Sequence, residues 1–141
     1  GLGEVFGPLD KRGQLVRSHV DDALGVNTAL TYKPCPFAWG FSASGACWGV
    51  LVNTPCDVWT GAGHPAWSHR TLAFACDDAA LDLFLFAAPD PAALLRAYHE
   101  VTGVPAVPPL WSFGVWLSKA YYRTADEILE AARTVRMKKI P

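Results

Sequence analysis

Pro108-Pro109-Leu110-Trp111-Ser112-Phe113-Gly114-Val115-Trp116-Leu117-Ser118-Lys119-Ala120-Tyr121-Tyr122 carries the change from one kind of structure to another. The proline pair closes whatever precedes it, because proline fixes its own backbone and restricts the residue before it. The apolar and aromatic run Trp111 to Leu117 then predicts a buried strand. A helix signal opens at Thr124, and a strand leading directly into a helix predicts the first β/α unit of a parallel αβ domain. The helix runs to Arg136-Met137-Lys138-Lys139, and the chain stops at Pro141. It opens Gly1-Leu2-Gly3-Glu4 with no Met. These ends predict a piece of a longer protein, broken off where a catalytic domain begins.

Working back from the prolines, residues 1 to 34 are rich in turn signals, including Gly7-Pro8, Arg12-Gly13 and Lys33-Pro34. Residues 35 to 86 predict short strands. Cys35 to Phe41 and Ala46 to Val52 form a hairpin around Ser42-Ala43-Ser44-Gly45. Cys56 to Thr60 is a third strand, ended by Gly61-Ala62-Gly63. Thr71 to Cys76 and Leu81 to Phe86 form a second hairpin turning at Asp77-Asp78. Short strands punctuated by Gly, Pro and Asn predict an antiparallel sandwich. A helix follows, capped by Asp90 with Pro91 in its first turn and closed by Gly103. Leu94, Leu95, Tyr98 and Val101 share one face of it. Ala106 to Pro109 reads as a linker. The last helix has Thr124 as its cap, Glu127 three residues on, and a stripe of Ile128, Ala131, Ala132 and Val135.

Composition narrows the function classes. The chain has 141 residues, 51% of them hydrophobic, and a net charge of −1. There is no basic stripe for nucleic acid or an anionic membrane surface, and no run of spanning length. The four cysteines, at 35, 47, 56 and 76, contain no C-x-x-C pair. They read as reduced, buried thiols of an intracellular, cytoplasmic protein. His19, His64, His69 and His99 match no metal-ligand spacing, and no G-x-S-x-G elbow is present. Neither a metal nor another cofactor is expected. Trp39, Trp48, Trp59 and Trp67 are candidates for a sugar platform, but Trp39 and Trp48 sit inside strand patterns and read as core.

A set of segments then carries a resemblance. Gly1 to Glu4, Gly7-Pro8-Leu9-Asp10-Lys11-Arg12-Gly13-Gln14, Tyr32-Lys33 with Pro36-Phe37, Trp48 to Pro55, and Thr102-Gly103 leading into Pro108 to Gly114 resemble, in order, glycoside hydrolase family 31, the α-glucosidases and α-xylosidases. Residues 56 to 90 match in pattern only. The resemblance implies a mainly β chain: the later part of a galactose-mutarotase-like β-sandwich (1–104), a linker (105–110), and the first strand and helix of a (β/α)8 catalytic barrel (111–141). Barrel sites lie at the C-terminal ends of the strands. Tyr121 falls there and aligns with an aromatic residue of the family's sugar pocket. The family also carries an Asp on a sandwich loop that bonds sugar hydroxyls. In His19-Val20-Asp21-Asp22-Ala23-Leu24-Gly25 the match is Asp22, since Ala and a spaced Gly follow it. A carboxylate can accept two hydroxyl hydrogen bonds. Set against these roles, Tyr121 or Tyr122 could pack between strand and helix, and an Asp is common in turns.

The resemblance implies a retaining enzyme with two carboxylates about 5 Å apart. It places both on later barrel strands, so no acid of this chain is assigned a catalytic role. The expected partner is an oligosaccharide or glycoside substrate, and self-association of the full-length enzyme stays open. The alternative is a non-catalytic carbohydrate-binding or interaction module that kept the sandwich, or a relative that lost its acids. The 141 residues alone are expected to be inactive and poorly soluble, because a lone β/α unit leaves its apolar faces uncovered.

Overall fold

The computed structural model describes Gly1–Asp21 and Thr31–Ile140. These divide into two compact units, Gly1–Gly103 and the residues from Val104 onward. In the first unit the strands are β1 (Gln14–Ser18), β2 (Phe37–Phe41), β3 (Cys47–Val52), β4 (Val58–Ala62), β5 (Leu72–Cys76) and β6 (Leu83–Ala88), followed by helix α1 (Pro91–Thr102). They form two three-stranded antiparallel sheets, β1-β4-β5 and β2-β3-β6.

Alternation along β2 explains how the layers stack. Successive side chains point to opposite faces of a strand. Phe37 turns toward α1, where it stacks on Tyr98 with ring centroids 4.2 Å apart and meets the Phe86 edge at 5.8 Å. Gly49 is what lets Phe37 lie flat there: a Cβ at that position would come within 2.9 Å of Phe37 Cε2 and 3.3 Å of Leu94 Cδ1. Leu94 is fully buried in this layer. The neighbouring Ala38 turns the other way, into a core with Val16 of β1 and Leu2, ringed by Val5, Leu72 and Phe74. The β2-β3-β6 sheet therefore packs on α1 with one face, while on the other β2 meets the β1-β4-β5 sheet and Leu85 of β6 stays 74% exposed.

The β2–β3 hairpin forms as expected, closed by Ser42 N–H donating to Ala46 O and Gly45 N–H to Ser42 O. The second expected hairpin does not form. β5 pairs with β4 and β6 pairs with β3, so the chain changes sheets between Cys76 and Leu83. Asp77-Asp78 marks a corner rather than a hairpin turn. Thr54 Oγ1 donates to Asp78 at 2.5 Å, and Asn53 donates its amide to Asp82 Oδ2 at 2.7 Å and its backbone N–H to Asp82 O at 2.9 Å. The third expected strand is shifted: Gly61 and Ala62 lie inside β4, not beyond it. Gly61 stays pairable because it carries no side chain, and Trp67 lies across it. β1 falls in the stretch read only as turns. All four cysteines are free thiols, but Cys47 alone is buried, the others being half-buried. Trp48, read as core, is 40% exposed over Gly40.

In the second unit, helix α2 spans Ala125–Met137. The expected strand at Trp111–Leu117 is absent. Leu110–Phe113 is a 3-10 turn instead, Trp111 and Trp116 are 80% and 81% exposed, and Ser112 Oγ donates to Pro109 O at 2.7 Å. A parallel strand exists only through hydrogen bonds to a neighbour, and its burial through cover on both faces. The described residues offer 111–117 neither. Among them, no helix is long and apolar enough to cross a membrane.

Candidate functional site

Tyr121 lies in the second unit, just before α2, and its placement follows from the carboxylate of Glu127. The α2 cap forms as expected on one side: Thr124 Oγ1 accepts from Glu127 N–H at 3.3 Å. The return bond is displaced by one residue, for Glu127 Oε2 accepts from the Arg123 N–H at 3.2 Å. The same oxygen lies 3.6 Å from Lys119 Nζ. One carboxylate in the first turn of α2 thus holds both ends of Lys119–Arg123, at a helix terminus where negative charge is favoured. Lys119 Nζ also sits 4.4 Å from the centre of the Tyr122 ring, a cation–π contact.

These ties separate the two tyrosines. Tyr122 is half-buried against Lys119, while Tyr121 is 68% exposed. Tyr121 lines an open hollow of about 390 Å³ with Lys119, Ala120, Arg123 and Glu127. An exposed aromatic face beside cations and a carboxylate can pack on an apolar C–H face and hydrogen-bond hydroxyls. Trp116 does not share this hollow; its indole N–H donates to Ser112 O at 2.6 Å.

Asp22 lies outside the described residues. The residues that flank this stretch in the chain are described. The chain leaves β1 through His19, Val20 and Asp21 and returns at Thr31, where Val20 and Thr31 make a parallel bridge and Asp21 N–H donates to Thr31 O at 3.2 Å. Thr31 is 4% exposed, and its Oγ1 donates to Glu4 O at 2.6 Å. On the other side stands Asp57, just before β4. His19 Nδ1 is 2.7 Å from Asp57 Oδ1; Arg17 Nε donates to Oδ2 at 2.8 Å, and Arg17 Nη2 also reaches that oxygen. The hydrogen bond to His19, and then those to Arg17, hold the Asp57 carboxyl below the usual carboxylate range. Arg17 in turn covers the Trp59 ring at 5.3 Å. Sequence reading missed Asp57. Its partners stand 38 and 40 residues away, and only the β1–β4 register, which sets Arg17 opposite Trp59 and Ser18 opposite Val58, brings them together.

Among the described residues, no group of three or more His, Cys, Asp or Glu is arranged to hold a metal ion.

Comparison with known proteins joins the two units. The glycosyl hydrolase 31 N-terminal galactose mutarotase-like domain matches residues 1–60, and the glycosyl hydrolases family 31 TIM-barrel domain matches residues 105–141. The chain belongs to glycoside hydrolase family 31. Its family-31 relatives include an α-xylosidase of Emericella nidulans, 35% identical over 129 residues, covering 90% of this chain and 15% of the relative. α-Glucosidase 2 of Bacillus thermoamyloliquefaciens is 30% identical and matches 100% of the chain and 18% of its own length. Among solved structures, the cycloalternan-degrading enzyme of Trueperella pyogenes superposes with a TM-score of 0.79 at 28% identity, covering 100% of this chain and 21% of the enzyme. The chain therefore spans about a fifth or less of the length of these family-31 proteins. The two family models explain why residues 1–60 and 105–141 read so differently.

Proposed function

We propose that the protein carrying this chain is a retaining α-glycosidase that removes terminal, non-reducing α-linked glucose or xylose. In this reading residues 1–104 are the later part of the sandwich, 105–110 the linker and 111–141 the start of the catalytic barrel. The chain contributes sugar contacts: Asp22 accepts hydroxyl hydrogen bonds and Tyr121 packs on a sugar face. The two catalytic carboxylates lie on barrel strands after Pro141. One attacks the anomeric carbon, and the other first protonates the leaving oxygen and then activates water.

The observation that carries the reading is the pair of family-31 matches in order along one chain, at 1–60 and 105–141. A sandwich module alone would not require the second match. The named activities of relatives, α-xylosidase, α-glucosidase and 1,3-α-isomaltosidase, support this substrate class. The exposed Tyr121 beside Lys119, Arg123 and Glu127 supplies a surface of the required chemistry.

The test uses the natural polypeptide that contains these residues, assayed with p-nitrophenyl α-D-glucoside, α-D-xyloside and α-D-mannoside. Hydrolysis of the glucoside or xyloside is expected, with the mannoside inert. Absence of turnover on all three would favour the carbohydrate-binding module instead.

A further inference from the structure

We infer that Glu127 is a positioning residue: its carboxylate ties the segment that carries Tyr121 to the first turn of α2. The inference rests on the sugar-packing reading of Tyr121 and names what holds that ring in place. Residues 115–123 belong to no helix or strand, and among the described residues they make no backbone–backbone hydrogen bond. The one main-chain hydrogen bond they form there is Arg123 N–H donating to Glu127 Oε2 at 3.2 Å. Tyr121 stands two residues before that tie and is 68% exposed. Tyr121, Arg123 and Glu127 line the same open hollow. The segment thus borrows its order from α2, and the loan passes through one side chain.

Where Glu127 reaches is set by the helix. Thr124 Oγ1 accepts from Glu127 N–H at 3.3 Å, which fixes the turn on which the glutamate stands. A capping carboxylate ordinarily returns to the N–H of the cap residue itself. Here the bond falls one residue earlier, on Arg123, so it grips the preceding segment rather than the helix end alone. Lys119 Nζ lies 3.6 Å from the same oxygen, but the two side chains are 55% and 40% exposed, and exposed ion pairs hold little against water and side-chain entropy. The bond to Arg123 is the stronger tie. It needs an acceptor oxygen at the end of a side chain of this length, which both a carboxylate and an amide supply. Glu127 acts through the place of the Tyr121 ring, and so it bears on substrate affinity and not on the chemical step.

The experiment uses the natural polypeptide with Glu127→Ala, Glu127→Asp, Glu127→Gln, Tyr121→Ala and the double variant of Glu127→Ala with Tyr121→Ala, assayed on the p-nitrophenyl α-glycoside it hydrolyses. Asp keeps the charge and gives up the reach; Gln keeps the reach and gives up the charge. Hydrogen exchange at the Arg123 amide is the direct readout, and it is expected to quicken about tenfold in the Ala and Asp variants and far less in Glu127→Gln. KM is expected to rise about threefold in Glu127→Ala and Glu127→Asp with kcat changed less than about twofold, and Glu127→Gln should recover most of that loss. The double variant should be no worse than Tyr121→Ala alone, because a residue that acts through the ring has nothing to act on once the ring is gone. Losses that add in the double variant, or Glu127→Gln as damaging as Glu127→Ala, would overturn the inference. So would an unmoved KM in Glu127→Ala where Tyr121→Ala raises it. If Glu127→Ala fails to fold, Glu127→Asp takes its place in each comparison, since it keeps negative charge at the helix start. Quickened Arg123 exchange with KM unmoved in Tyr121→Ala as well would sink the reading of Tyr121, and this inference with it.

Discussion

Asp57 meets two donors through its two oxygens, and that makes it sensitive to acid. Its folded-state value lies below the ordinary one, first because of His19 and then Arg17. A depressed carboxylate contributes stability that is complete above the unfolded value of about 3.9 and disappears as pH falls through the folded value. Wild type should therefore unfold at a higher temperature than Asp57→Asn at about pH 6 and lose that margin progressively as pH falls below the unfolded value. Thermal melts across that range check it, and a margin that persists into acid would contradict it. Tyr121 and Tyr122 give a second contrast at this scale. Tyr121→Ala should raise KM about fivefold or more with the fold intact, whereas Tyr122→Ala should chiefly loosen the Lys119 contact. Steady-state kinetics of the two variants, measured together, separate binding from packing. Neither distinction is visible in the letters Tyr121-Tyr122; it arises because Lys119 folds back on one ring and leaves the other open.

At the scale of elements, what could be read in advance was local. Asp90 accepts from Ala93 N–H at 2.8 Å, and Gly103 closes α1 with φ at 89°, as the cap chemistry requires. Thr124 likewise caps α2. These ends depend on neighbours three or four residues away. Strand partners do not. The Leu81 to Phe86 run looked like the mate of Thr71 to Cys76, but its pairing with β3 is decided by cores far off in sequence. β1 was invisible because its buried positions are Val16 and Ser18; a buried serine breaks the apolar alternation that would have marked the strand. Two substitutions test the packing. Leu94→Ala should destabilise the first unit by about 2–5 kcal/mol through the cavity it leaves. Gly49→Ala should cost about 1–3 kcal/mol by driving a methyl into Phe37 and Leu94. Denaturant melts measure both, and a neutral Gly49→Ala would show that the Phe37 ring is not confined as described.

At the scale of the molecule, the chain joins the parts of two domains with different habits. The sandwich portion builds its core from two sheets and α1 but leaves Phe41 and Leu85 exposed. The barrel portion keeps Trp111, Phe113, Val115, Trp116 and Leu117 exposed, and a parallel strand there requires neighbours on both sides. That is why the most aromatic stretch of the sequence was legible as belonging to a barrel, through its resemblance, while its strand is not formed. The family was readable from ordered motifs, and both family matches agree with it. Of the candidate residues, Tyr121 lies exposed beside an open hollow, Asp22 lies outside the described residues, and the Asp57 contacts emerged from the fold alone. Stereochemistry tests the central claim most directly. The natural polypeptide should be mixed with an aryl α-glucoside or α-xyloside and the first sugar released followed by proton NMR before mutarotation. A retaining enzyme releases the α-anomer first. Initial release of the β-anomer, or no release, would contradict the account.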